Sequence, residues 1–304
     1  MNIQDIVSIE SWSDIETRAN YVKTILMSKN PNTNDYDVKL MRILGTYTLN
    51  PKVKCGISQC GQIHHSGYLV LLSNGSETNI GNTCGKNHFG TDFANSKKII
   101  NQVKTEKEYL ERVKDFIERI DTIEKEIIEI QNPKGKANLA KIYNTLYFMT
   151  QNVEPLGEEL TRRIRALIQA NGKIFKTVRK SREEINMEKV AGGEDKRVNQ
   201  YKDVLVGVVD GYEVLRKYDE ITSVRDFFEF IIKETKGKNV YEITKDRRRL
   251  LAKRISDYEG KRRQLEELME LGNRLCKERN FDVIKEQLTE REANKVDRLW
   301  TMIK

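Results

Sequence analysis

Residues 54–90 read KCGISQCGQIHHSGYLVLLSNGSETNIGNTCGKNHFG, and they decide how this 304-residue chain is read. Three of its four cysteines and all three of its histidines fall inside this window. The spacing is Cys55-x4-Cys60, then 23 residues, then Cys84-x3-His88. Zinc takes four N or S ligands in a tetrahedron, and two ligand pairs joined by a folded loop supply them. Gly56 and Gly61 let backbone amides approach thiolate sulfur in the first pair. The second pair falls where a helix is expected to start. Cys84 and His88 are then one turn apart on one face, and the helix N-terminus favours a thiolate. The predicted ligand set for Zn2+ is Cys55, Cys60, Cys84 and His88, with His64 or His65 as the alternatives to His88. The competing readings are three reduced cysteines in a small β core, or a disulfide between two of them.

The order of knuckle, hairpin and ligand pair on a first helical turn resembles the treble-clef type of zinc finger. The likeness covers about Val53 to Phe93, and its x4 first pair departs from the commoner x2. Some treble-clef proteins are metal-dependent nucleases of the HNH type, which resemblance would cast His65, Asn82 and His88 as base, orienting amide and metal ligand. The double histidine follows the knuckle by only three residues, and His88 would have to serve the structural zinc as well. The simpler expectation is a structural metal. A short hairpin buries too little apolar area to hold itself, and metal binding contributes on the order of 10 kcal/mol in isolated finger peptides.

Working outward, GYLVLLSNGSETNIG reads as a hairpin turning at Asn74-Gly75, because both residues tolerate positive φ. The aromatic and β-branched stretch Tyr36 to Leu49 reads as a strand. Upstream, SWSDIETRANYVKTILM reads as a helix with Ser13 or Asp14 as cap. From about Thr91 the period becomes helical. Val103, Leu110, Val113, Ile117, Ile120 and Ile127 recur at alternating steps of three and four, a coiled-coil-like seam. Helices are expected at 137–150 and 155–170. YKDVLVGVVDGYEVLRKY is ambiguous between helix and strand and is assigned to helix. A long helix over 243–280 carries a second seam of Leu251, Ile255, Tyr258, Leu265, Met269 and Cys276, and a short helix at 281–302 ends the chain. Lone Cys276 reads as a buried apolar residue.

The resulting fold class is mainly α: a small zinc-stabilised β-hairpin domain near the N-terminus, then a long helical, partly coiled-coil body. The expected organisation is an N-terminal helix at 1–35, the finger at 36–95, a helical region at 96–190 and a C-terminal helical region with a basic helix at 191–304.

The net charge of +8 permits a polyanionic partner. KDRRRLLAKRISDYEGKRR, from Lys245 to Arg263, holds nine basic and three acidic residues. Arg247, Arg248, Arg249, Lys253, Arg254 and Arg262 are its candidate phosphate contacts. The alternative is that they pair with nearby acidic segments such as QLEELMELG. In a second basic group, RRIR with KIFKTVRK, Phe175 and Val178 are expected in a core or interface. No apolar run reaches the roughly 20 residues of a membrane span. No secretory start is visible, so a cytoplasmic protein is expected. No phosphate loop, nucleophile elbow or His-Glu-x-x-His occurs. The functional expectation is a non-enzymatic zinc-finger protein binding DNA or RNA, whose helical body associates with itself or a partner. The alternatives are a protein–protein scaffold built on the helical bundle and an HNH-like metal-dependent nuclease.

Overall fold

A computed structural model describes residues 6–29, 31, 36–151, 153–192, 198–286 and 288–303. The chain divides into two compact units. One comprises Met1–Lys114 with Ile243–Ala252, the other Asp115–Glu242 with Lys253–Lys304.

The first unit is built on a three-stranded antiparallel sheet in the order β1 (Leu40–Lys54), β2 (Ile63–Leu72), β3 (Glu77–Ile80). The β2–β3 hairpin turns where Asn-Gly predicts. Gly75 takes φ 81°, and the Leu72 amide donates to Ser76 O at 2.9 Å. All four residues of β3 are buried, which leaves its outer backbone edge in need of partners.

The N-terminal segment supplies those partners, and it is not the helix its periodicity predicts. Only α1 (Ser13–Glu16) is helical, and residues 1–5 and part of 30–35 lie outside the described residues. After α1 the backbone runs along the sheet. Glu77 N donates to Asn20 O, Val22 N to Glu77 O, Ile25 N to Gly56 O and Ser58 N to Ile25 O, at 2.7–3.0 Å. Arg18 pairs with the buried Glu77 carboxylate, and Thr78 Oγ1 donates to Val22 O. Ile15 and Ile25 are buried while Leu26 is 74% exposed, a pattern of tertiary pairing that overrides helical spacing. Against the sheet lies α2 (Asn82–Glu118), whose helical path breaks at Gly90 (φ 44°, ψ −116°). Ile43, Ile57, Val70, Ile80, Phe93 and Ile100 form the core, and Cys55 and Cys84 belong to it.

The second unit contains α3 (Ile120–Gln131), α4 (Leu139–Thr150), α5 (Gly157–Gln169), α6 (Arg182–Gly192), α7 (Tyr218–Thr235), α9 (Tyr258–Leu275), α10 (Glu278–Lys285) and α11 (Glu290–Ile303). The basic helix α8 (Lys245–Ser256) begins in the first unit. A second sheet, of antiparallel β4 (Lys173–Arg179) and β5 (Tyr201–Val208), stands among these helices.

That sheet overturns the expected fold class. The chain is not one small β-hairpin domain followed by an all-helical body. It carries a three-stranded sheet with a 15-residue strand and a further two-stranded sheet in the second unit. The segment assigned to helix from Tyr201 is a strand followed by a 3-10 turn at Tyr212–Arg216. Its run of Val204, Val206 and Val208 carries the stiff branched side chains that favour the pleated backbone.

The coiled-coil reading fails as well. Phe116, Ile120, Ile123 and Ile127 keep the alternating spacing of three and four, but the spacing serves a different packing. They pack in one core with residues of α4, α5, α7, α9 and α11, not against a single partner helix. The expected 243–280 helix is three helices, interrupted at Asp257 and at Cys276–Lys277. Leu265, Met269 and Cys276 of the second seam are spent in that same core. Among the described residues no helix is long and apolar enough to cross a membrane.

Candidate metal centre

The end of β1, the knuckle that follows and the first turn of α2 bring three sulfurs together. Pairing of Lys54 with Ile63 continues into a bond from Cys55 N to Gln62 O (2.8 Å), which closes the knuckle at its base. A tight turn follows, in which Cys60 N donates to Ile57 O at 3.0 Å. β3 then delivers the chain to α2, and Cys84 sits in its first turn. The Sγ atoms of Cys55, Cys60 and Cys84 all lie within 4.8 Å of one another, and none is in a disulfide. A tetrahedral zinc with Zn–S bonds of 2.3 Å separates its sulfurs by about 3.8 Å, so the triad fits such an ion.

Two glycines make the approach possible. A Cβ on Gly56 would stand 2.0 Å from Thr78 Oγ1 and 3.0 Å from Asn79 O. One on Gly85 would stand 2.4 Å from the ring of Phe93, which lies beyond the Gly90 break, so a side chain there would displace that buried ring.

The electrostatics suit a cation. Burial pushes the Cys55 thiol up, opposed by the amides of Ile57 and Gly81 and by the Cys84 thiol. Burial also opposes ionisation of Cys60, but hydrogen bonds from the Cys84 thiol and the Gln62 amide outweigh it and bring that thiol below its usual value. Cys84 is pushed well up by burial and by the two neighbouring sulfurs. Amides aimed at sulfur stabilise thiolate, yet three thiolates cannot share this volume without a positive charge between them.

His88 does not join the sulfurs: among the described residues the cluster holds the three cysteines alone. Its ring lies 5.0 Å from that of Tyr36, and its Nδ1 is buried without a hydrogen-bond partner. Burial, with the Lys29 charge nearby, lowers its basicity. His64 is turned to Tyr47, whose hydroxyl lies 2.7 Å from its Nε2. Exposed His65 carries its proton on Nδ1 and donates to Leu49 O at 3.0 Å. Asn82 Oδ1 accepts from Lys97 Nζ at 2.9 Å. Of the residues a nuclease reading would join, His65 and Asn82 each bond a different partner.

A polar network that the sequence did not flag lies under the site. Tyr21 Oη donates to Asn79 Oδ1 at 2.8 Å, and Asn79 Nδ2 donates to Lys54 O at 2.9 Å and to Tyr47 Oη at 3.3 Å. Asn79 and Tyr47 are buried. The one visible signal was an asparagine in a strand of four otherwise pairing residues, where an unsatisfied amide would be costly.

The basic helix is largely occupied. Arg248 donates to Ile243 O at 2.6 Å, and Arg254 lies 4.1 Å over the Phe230 ring. Arg262 pairs with Glu259 and Glu266. Arg247 is half-buried, and Arg249 and Lys253 are exposed. A cleft of about 860 Å³ in the second unit is lined partly by Lys141, Arg274 and Lys277. Its cations are also engaged, Lys277 with Asp210 and Lys141 over the Trp300 ring. Cys276 is buried, 3.5 Å from Thr145 Oγ1.

Set against protein-family models, curated proteins and solved structures, the chain matches none.

Proposed function

We propose that this protein is a non-enzymatic nucleic-acid-binding protein whose first unit is held together by a structural zinc ion. The metal reading is carried by one observation: three free cysteines from two distant stretches of chain converge within 4.8 Å, with amides directed at their sulfurs. His88 is the fourth ligand in this reading. It follows Cys84 by one helical turn and holds a buried nitrogen in need of a partner. The order of knuckle, β2–β3 hairpin and α2 supports a treble-clef arrangement of the site. The zinc is structural because four protein ligands leave it no open position for substrate.

DNA or RNA as the partner is supported by the net charge of +8 and by the exposed Arg249 and Lys253 on α8. Elemental mass spectrometry of the purified protein is expected to find one zinc, lost in Cys84→Ser and retained at lower affinity in His88→Ala. Metal-free wild-type protein that remains folded rejects the zinc site. Full retention of affinity in His88→Ala rejects that ligand alone. For the partner, binding of labelled oligonucleotides is expected to weaken steeply with salt, and absence of binding at low salt rejects it.

A further inference from the structure

The β4–β5 ribbon exposes what sheets normally hide. Its register places Lys173 opposite Val208, Phe175 opposite Leu205, Thr177 opposite Asp203 and Arg179 opposite Tyr201. Directly opposed residues share a face, so these four pairs lie on one side of the ribbon, with a bulge between Ile174 and Phe175. Phe175 is 42% exposed, Leu205 49%, Tyr201 52% and Val208 47%. Neither aromatic ring touches another ring among the described residues, and Lys173 and Arg179 have no ion-pair partner there. The one carboxylate on the face, Asp203, accepts a hydrogen bond from Thr177 Oγ1 at 2.7 Å. On the opposite face Val178 and Lys202 are half-buried, and Lys202 pairs with Glu184 of α6. At the ribbon's base Ile174 is buried and Gly207 abuts Val283 of α10. Lys176 and Val204 leave the middle of the opposite face open, so the ribbon is anchored at its base and through α6, and the cation–aromatic face is left to solvent.

We infer that this face is a binding surface for single-stranded nucleic acid, with Phe175 and Tyr201 as stacking platforms and Lys173 and Arg179 as phosphate contacts. The inference rests on the nucleic-acid reading above and moves its main surface from α8 to the ribbon. Charge selects the occupant. Two cations without an ion-pair partner among the described residues bracket the face and its carboxylate is engaged, which suits a polyanion. A second copy of the chain, laid face to face, would set like cations against each other. Exposed aromatic faces alternating with cations along a strand suit a chain that presents flat bases and charged phosphates in turn. Six residue steps separate Lys173 from Arg179, about 20 Å of extended strand, which is room for several nucleotides.

The experiment uses the full-length, zinc-loaded protein. Fluorescence anisotropy is measured with labelled oligo(dT), oligo(rU) and a mixed-sequence duplex over a salt series. Four proteins are compared: wild type, F175A/Y201A, K173A/R179A and the conservative F175Y/Y201F. Single strands are expected to bind more tightly than the duplex. The F175A/Y201A variant is expected to lose at least tenfold in affinity for single strands with its salt slope unchanged, and F175Y/Y201F to keep wild-type affinity. In K173A/R179A the log–log salt slope is expected to fall by about 0.7 for each cation removed. Ring variants that bind as wild type does overturn the ribbon and leave the nucleic-acid reading standing. Wild type that binds no nucleic acid overturns both. A wild-type dimer that F175A/Y201A converts to monomer in sedimentation, with strand affinity unchanged, makes the face a self-association surface and also overturns the inference. Circular dichroism and zinc content confirm that each variant is folded.

Discussion

The two sheets of this chain solve one problem in opposite ways. A sheet has faces to bury and edges to pair, and β1–β3 does both. The residues of β3 are buried, its outer edge is paired by residues 20–22, and the knuckle is tied to Ile25. The β4–β5 ribbon has two strands, exposed residues on both faces, and anchorage at its base and through α6. An isolated two-stranded ribbon is marginal in water. The ribbon's fold is therefore borrowed from the helical unit beneath it. The fold of β1–β3 is assembled locally from strand pairing, a wrapped N-terminal segment and the cysteine site. Burial, not strand propensity, separates a sheet that carries stability from one that is free to carry a surface.

The largest break in this contrast is expected from disrupting the proposed metal site. Chelation of zinc, or Cys84→Ser, is expected to remove several kcal/mol from the first unit, up to the order of 10 kcal/mol seen in finger peptides. The second unit is expected to keep its structure. Hydrogen exchange resolved by segment checks this: amides of β1–β3 lose protection while those of α4, α7 and α9 keep it. Equal loss in both units would show that the metal serves the whole chain.

Two phenylalanines sharpen the contrast next. Phe93 is fully buried behind Gly85, and Phe93→Ala is expected to cost about 3–5 kcal/mol. Phe175→Ala, on the exposed face, is expected to change stability by less than about 0.5 kcal/mol. Denaturant unfolding of the two variants measures both. A large loss from Phe175→Ala would show that the ribbon face is part of a core.

Asn79→Ala is expected to cost about 1–3 kcal/mol, because it removes the partner of the Tyr21 hydroxyl and of the Lys54 carbonyl beside the knuckle. Thermal unfolding of that variant, with zinc bound, reads it.

The smallest effect tests the helical unit by its caps. Thr289 and Glu292 form a capping box at the start of α11: the Thr289 amide donates to Glu292 Oε2 at 2.9 Å, and the Glu292 amide to Thr289 Oγ1 at 3.4 Å. Thr289→Ala is expected to cost about 1 kcal/mol. The Thr289 amide is the main cause that holds the Glu292 carboxyl below the usual value of 4.5. A carboxylate with a lowered folded pKa stabilises above its unfolded value. This contribution is therefore complete above about pH 4.5 and is lost as pH falls through the folded pKa. Comparison of wild type with Glu292→Gln between pH 3 and 6 checks the sign.

How much of this was legible depends on how local each cause is. The cysteine triad was legible because thiols at these spacings have few other uses, and the β2–β3 turn because Asn-Gly acts on its own backbone. The N-terminal segment misread as helix because Ile15 and Ile25 satisfy helical spacing, while the partners that straighten the chain, Gly56 and Glu77, lie far along it. β5 misread because an aliphatic run signals burial, and here Val204, Leu205 and Val208 are exposed. Phe175 was expected in a core or interface for the same reason. His88 shows the limit within the site itself: its spacing from Cys84 is right for a ligand, but the ring's placement by Tyr36 is set by packing that spacing does not encode.

The wrapping of the N-terminal segment also bears on the order of events at the ribosome. Arg18 and Glu77 are 59 residues apart in the chain, and Tyr21 finds Asn79 across 58. At synthesis rates of about 5–20 residues per second, the opening segment waits on the order of several seconds for its partners to emerge. During that interval the pairing of residues 18–22 with β3 is unavailable, and Ile15 has only β1 and then β2 to cover. Residues 18–22 are made well before the strand edge they pair with, and they are seated only when β3 arrives.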